Sequence, residues 1–211
     1  MYKAIIYDID NTILDTFDTN FIPLQKVVKK YLNQEISLEQ CHPYAGLAGK
    51  KIIQEVGFKN VEEDYQKWLD QIRIDQIQPT PFDGIEEVLK QLGKQYIQAI
   101  VSSKLKAQYT YEQQIFNYGD YMKVCVLADD TKEHKPSPKP INYCLEQLKL
   151  KPSEALYVGD AIGDYLSAKA AGVDFVYARY GNRAKEEFED VEYIIDTPLE
   201  LIEIINNKSN I

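Results

Sequence analysis

The sequence predicts an α/β protein in which a parallel sheet is covered by helices on both faces and interrupted early by a helical segment. Three observations predict it. Apolar runs at 4–7, 96–101, 122–127, 155–158 and 173–178 have the length of buried strands. Between the later runs lie stretches with helical spacing, so strand and helix alternate, as parallel sheets require. From 17 to about 77 the pattern is helical only, with no comparable strand run.

Ala4–Tyr7 is a compact apolar strand that ends abruptly in acids. Phe21, Leu24, Val27, Val28, Tyr31 and Leu32 then recur at helical spacing, and Gly46, Gly49 and Gly57 punctuate the remainder of the helical segment. The turn-rich stretch 78–84, with Pro79, Pro81 and Gly84, closes this region. Beyond it the sequence predicts helix at 85–92, 104–117, 138–148 and 163–171. The last elements are a short strand at 193–195 and a helix at 198–205. In such folds ligands sit beyond the carboxyl ends of the strands.

The chain has 211 residues, 45% of them hydrophobic, enough for a packed core. A net charge of −9 disfavours nonspecific binding to nucleic acid or anionic membranes. The 16 tyrosines are scattered through core-like positions and form no stacking platform. Cys41, Cys125 and Cys144 contain no Cys-x-x-Cys pair, which points to buried thiols rather than a disulfide framework or zinc ribbon. The N-terminal apolar run is too short for a signal peptide, and no later run approaches roughly 18 apolar residues. The expectation is a soluble, cytoplasmic protein.

Candidate chemistry gathers at four strand ends. Asp8 and Asp10 come after the first strand, on one side of the chain if it stays extended or both in the turn beyond it. Two such acids repel, and a cation with a preference for hard oxygen ligands, such as magnesium, would resolve the conflict. The competing reading is an Asx turn made by Asp10, Asn11 or Thr12. Asp160 and Asp164 come after a second apolar strand, either as a pair about one helical turn apart or as simple helix caps. Ser102 stands at a strand-to-helix turn, suited to a phosphate oxygen or to ordinary capping. Lys135, before Pro136, is either a fixed cation or a solvated surface lysine. Four such signals in this order reinforce one another.

The ordered set Asp8-x-Asp10-x-Thr12, Ser102, Lys135-Pro136 and Gly159-Asp160-x-x-x-Asp164 resembles the four motifs of the haloacid-dehalogenase-like (HAD) hydrolase superfamily. It is most similar to the phosphoglycolate phosphatase and beta-phosphoglucomutase branch. The resemblance implies a Rossmann-like catalytic core of residues 1–14 and 82–211, with a helical cap at 15–81 inserted after the first strand. It implies a magnesium-dependent phosphatase acting on a small phosphorylated metabolite, as a monomer or weak homodimer. Asp8 would be the nucleophile and Asp10 the acid and base. Asp8, the Asp10 carbonyl and Asp160 would hold Mg2+, with Asp164 orienting that shell. Ser102 and Lys135 would grip phosphate oxygens, and Thr12 would support the Asp10 loop.

The chain departs from the pattern at Asn11, where glycine is common, and at Ser103 and Lys104, where phosphatases often carry Asn. Asn20 and Gly159 stand where the sugar phosphomutases of this branch have histidine and glutamate, which favours a phosphatase over that alternative. A non-catalytic, metal-bound phospho-acceptor is the reading from a different class, and the full set including Asp10 argues against it. In the cap, Lys50 could meet a second anionic group and Tyr44 could pack on substrate, or the two are a solvated lysine and a half-buried tyrosine. His42 and His134 are expected to be structural or solvent-facing.

Overall fold

The structure, a computed structural model, describes residues 1–185, 188 and 190–209. Strand β1 (Ala4–Tyr7) is buried along its whole length. A tight loop leads to the two-residue strand β2 (Leu14–Asp15), which carries the chain away from the sheet. Four helices come next: α1 (Phe17–Leu32), α2 (Leu38–Cys41), α3 (Gly49–Glu55) and α4 (Val61–Asp75). Strand β3 (Thr80–Pro81) then pairs antiparallel with β2 and returns the chain to the core. The remaining elements are α5 (Ile85–Leu92), β4 (Ile97–Val101), α6 (Lys106–Glu112), β5 (Val124–Val126), α7 (Lys139–Leu148) and β6 (Ala155–Gly159). They end with α8 (Ile162–Ala171), β7 (Asp174–Ala178), β8 (Tyr193–Ile195) and α9 (Glu200–Ser209).

The six longer strands form one parallel sheet in the order β5-β4-β1-β6-β7-β8. The two-residue alternation of β1 divides its side chains between two cores. Ile5 and Tyr7 face Val88 and Leu89 of α5 and Leu201 and Ile205 of α9. Ala4 and Ile6 face Ile141 and Cys144 of α7 and Ala168 of α8. The α/β architecture with helices on both faces is therefore as the sequence predicts. The inserted helices have their own core, in which Phe21, Leu24 and Val28 of α1 pack with Ile53 and Trp68. The Trp68 indole N–H donates to the Asn20 carbonyl at 2.8 Å, tying α4 to α1.

Two elements are shorter than expected. The helix anticipated over 104–117 is confined to α6, because Leu105 is extended and the Lys104 side chain turns inward. At its far end Gln113 accepts the Gly119 N–H at 2.7 Å, folding the chain so that Tyr118 is fully buried. The strand anticipated over 122–127 pairs only along β5. The ribbon β2–β3 has no signal in the sequence pattern, since two residues per strand are too few for a period. Among the described residues, no helix is long and apolar enough to cross a membrane. The three cysteines are free, with Cys41 and Cys144 buried.

Candidate active site

The carboxyl ends of β1, β4 and β6 converge on one cavity of about 120 Å³, lined by Asp8, Asp10, Ser102, Lys135, Asp160 and Asp164 together with residues of the inserted helices. All six positions singled out in the sequence therefore meet at one place. Asp8 directly succeeds β1, and its backbone N–H donates to the Val158 carbonyl at 2.9 Å, continuing the β1–β6 ladder. The loop beyond is shaped by Asn11, whose φ of 54° is left-handed. Asparagine is among the few residues besides glycine that adopt this backbone at little cost, so the departure at position 11 keeps the turn. Gly181 lies against the same loop, where an added Cβ would stand 1.6 Å from the Asn11 carbonyl oxygen. The Tyr180 hydroxyl donates to the Thr12 carbonyl at 2.8 Å, and Thr12 Oγ1 donates to Asp160 Oδ1 at 3.4 Å. Thr12 thus braces the loop, as expected.

Lys135 is the hub of the floor. Its Nζ lies 2.9 Å from Asp8 Oδ1 and 2.5 Å from Asp164 Oδ1, with its side chain 8% exposed. Asp164 makes the helix cap that was one reading of the sequence, and it also meets Lys135. Its Oδ2 accepts the Ala161 N–H at 3.2 Å, capping α8, while Oδ1 faces Lys135. Tyr157, one position before Val158 on β6, completes the arrangement. Its hydroxyl accepts from Lys135 at 3.3 Å and lies within donating distance of the Val101 carbonyl, at 2.9 Å, and of Asp164 Oδ1, at 3.1 Å.

Ser102 is buried, and its Oγ accepts the Lys104 N–H at 3.4 Å. Ser103 is exposed and borders the cavity. Lys104 is more than the neighbour of a motif. Its Nζ is buried between Asp10 Oδ1 at 2.9 Å and Glu112 Oε1 at 2.7 Å. Glu112 also accepts from the Tyr118 hydroxyl at 3.2 Å. The sequence pattern assigns no role to Lys104, Glu112 or Tyr157. For Tyr157, the one hint is a hydroxyl inside an otherwise apolar strand. Pairing Lys104 with Asp10 across 94 positions has no local signature.

The electrostatics arise from burial and neighbours. Burial raises the Asp8 carboxyl to about 7, with Lys135 working against it and Asp164 and Asp10 adding to it. Asp160 is raised well above the ordinary carboxylate range, first by burial and then by Asp164 and Asp8. For Asp10 burial acts upward, but the charge and hydrogen bond of Lys104 outweigh it, so this carboxyl is lowered. Burial alone would lower Lys135, yet Asp164 and Asp8 prevail and keep it charged.

Carboxylate oxygens of Asp8, Asp160 and Asp164 lie within 4.8 Å of one another, and all three residues are buried. Lys135 offsets Asp8 and Asp164, but the polar contact on Asp160 is the long one from Thr12. Hard oxygen donors, burial and excess negative charge are what a magnesium ion requires. The residues fit that ion.

In the cap loop, Tyr44 borders the cavity. Lys50 does not line it and instead pairs with Glu62 at 2.5 Å on the surface. His42 packs edge-on to Phe17, with ring centroids 4.9 Å apart, and His134 is exposed.

A sequence profile described as haloacid dehalogenase-like hydrolase matches residues 5–178. The chain belongs to this family. A relative from Caldanaerobacter subterraneus subsp. tengcongensis, provisionally named pyrophosphatase PpaX, is 32% identical over 96% of this chain and 94% of its own length. A phosphoglycolate phosphatase of Aquifex aeolicus is 27% identical, covering 97% of each chain. The crystal structure of a protein provisionally described as a phosphoglycolate phosphatase, from Lactobacillus plantarum, superposes with a TM-score of 0.88 at 25% identity, over 97% of this chain and 99% of that one.

Proposed function

We propose that this hydrolase is a magnesium-dependent phosphatase that transfers the phosphoryl group of a small phosphorylated metabolite to Asp8 and then to water. The convergence of Asp8, Asp10, Ser102, Lys135 and Asp160 on one cavity carries this reading. Asp8 is the nucleophile, and its attack on phosphorus yields an aspartyl-phosphate. Lys135, already beside Asp8, lowers the repulsion between the carboxylate and the incoming phosphate. Ser102 binds a phosphoryl oxygen. The Asp8 and Asp160 carboxylates and the Asp10 carbonyl would hold Mg2+, with Asp164 fixing their arrangement. When bound, that ion neutralises charge on the transferring group.

Asp10 protonates the leaving oxygen and then takes a proton from the attacking water. Its pairing with Lys104 favours the carboxylate, the form required by the second step. To serve as the acid of the first step, Asp10 gains a proton and turns from Lys104 toward the leaving group. Residues 15–81 act as a cap that excludes bulk water, hinged on the β2–β3 ribbon. Gly159, where the sugar phosphomutases of this branch carry glutamate, supports hydrolysis over sugar phosphomutation; an added Cβ there would lie 2.6 Å from the Asp164 side chain.

The test is phosphate release from a broad metabolite panel with magnesium present. Asp8→Asn abolishes turnover with every substrate. Asp10→Asn retains the first step better with aryl than with alkyl phosphates and accumulates phospho-enzyme. Labelling at a residue other than Asp8, or full turnover in excess chelator, contradicts the reading.

A further inference from the structure

The cavity over Asp8 has room for about 120 Å³, which takes a phosphoryl group and the first part of its leaving group. Beside it lies a second cavity of about 360 Å³. Asn20, Leu69, Ile72, Lys104 and Gln108 line both, so the two spaces adjoin across a shared wall. The second space lies between the inserted helices and the core, with Leu69 and Ile72 of α4 and Ile77 and Pro79 of the returning linker facing Leu105 and Tyr111 at α6. Its surface is mostly apolar.

The charges around both cavities are already matched. Among the described residues, the lining cations are Lys104, Lys135 and Arg73. Lys104 is held by Asp10 and Glu112, Lys135 by Asp8 and Asp164, and Arg73 by Asp70 at 2.9 Å. A second anionic group on a substrate would therefore have to compete with carboxylates already in place. Lys50, which could have met such a group, is engaged at the surface.

We infer that the second cavity receives the leaving group, and that the preferred substrates are phosphate monoesters of an uncharged, apolar alcohol. This rests on the phosphatase reading for its chemistry but not for its binding. Each methylene moved from water into an apolar space contributes a factor of about four in affinity.

The experiment measures binding of non-hydrolysable n-alkylphosphonates, ethyl through hexyl, to the magnesium-loaded protein by calorimetry. Affinity is expected to rise about threefold to fourfold per methylene. n-Butylphosphonate is expected to bind at least tenfold more tightly than 3-phosphonopropionate, which is of similar size and carries a second anion. Ala107 is exposed on α6 and lines the second cavity, so Ala107→Phe narrows it without disturbing the core, and the chain-length gradient flattens. A flat series in the unmodified protein, tighter binding of the dianionic compound, or an unchanged gradient in A107F overturns the inference. Kinetics on the matching alkyl phosphates separate the two readings. Turnover without a gradient leaves the phosphatase and removes the apolar site, whereas a binding gradient without turnover does the reverse.

Discussion

At the scale of single residues, the site is an arrangement of acids that the fold alone does not neutralise. Lys104 shows how strict the compensation is. Its side chain is 3% exposed and that of Glu112 is 7%, so removing one charge strands the other in a medium that cannot solvate it. Lys104→Met should cost about 3–5 kcal/mol in denaturant unfolding. Adding Glu112→Gln, which keeps an acceptor for Tyr118, should recover at least half of that loss. Asp8 and Asp160 make the opposite case. With Asp8 raised to about 7, the folded protein holds a proton that the unfolded chain has already released above its ordinary value of 3.8. The unfolded state therefore binds fewer protons across that window, and stability falls as pH rises from about 4 to about 7. For the metal-free protein the loss should be roughly 2–4 kcal/mol, measured by equilibrium unfolding. Asp160→Asn should flatten the slope. Because magnesium competes with these protons, its affinity should increase over the same interval.

At the scale of elements, the loop after β1 that carries Asp8 and Asp10 is set by what lies against it. Gly181 belongs to the turn after β7, and its missing Cβ lets that turn sit on the Asn11 carbonyl. Gly181→Ala would press a methyl group into backbone, where no side-chain rotation gives relief. The expected cost is about 3 kcal/mol or more, with loss of activity because Asp8 and Asp10 move with the loop. Gly57→Ala is the control. Its φ of +99° is strained for alanine but nothing lies within 4 Å, so the cost should be on the order of 1 kcal/mol with activity retained. The linker to the inserted helices is held in a similar way, with Arg183 paired to Asp15 and set over the Phe17 ring.

At the scale of the whole molecule, the proposed magnesium ion should also stabilise the fold. Binding the folded state alone contributes about 2.7 kcal/mol at a hundredfold excess over Kd. For a chain of 211 residues this corresponds to a rise of roughly 5–10 °C in the thermal midpoint. Scanning calorimetry with and without chelator checks it, and Asp160→Asn should lose most of the increment. The net charge of −9 adds to this dependence, since the acids of the site sit in a protein that is itself acidic.

The sequence by itself determined the parallel α/β sheet, because buried strands need continuous apolar runs and these are local. It also picked out Asp8, Asp10, Ser102, Lys135, Asp160 and Asp164, each of which has an ordinary structural use such as a cap or a solvated surface charge, because four such signals in this order reinforce one another. Tertiary structure alone decided that Lys104 neutralises Asp10 and Glu112, that Tyr157 orders Lys135 and Asp164, and that Gly181 rests on Asn11. Lys104 and Asp10 are 94 positions apart and Gly181 and Asn11 are farther still, whereas Lys104–Glu112 and Tyr157–Asp164 are 8 and 7 apart. A side chain's local sequence fixes where it starts, but the charge it meets depends on which strands the sheet places side by side. Lys50, in the first turn of α3, ends on the surface beside Glu62, whereas Lys104, in the loop between β4 and α6, is buried beside Asp10.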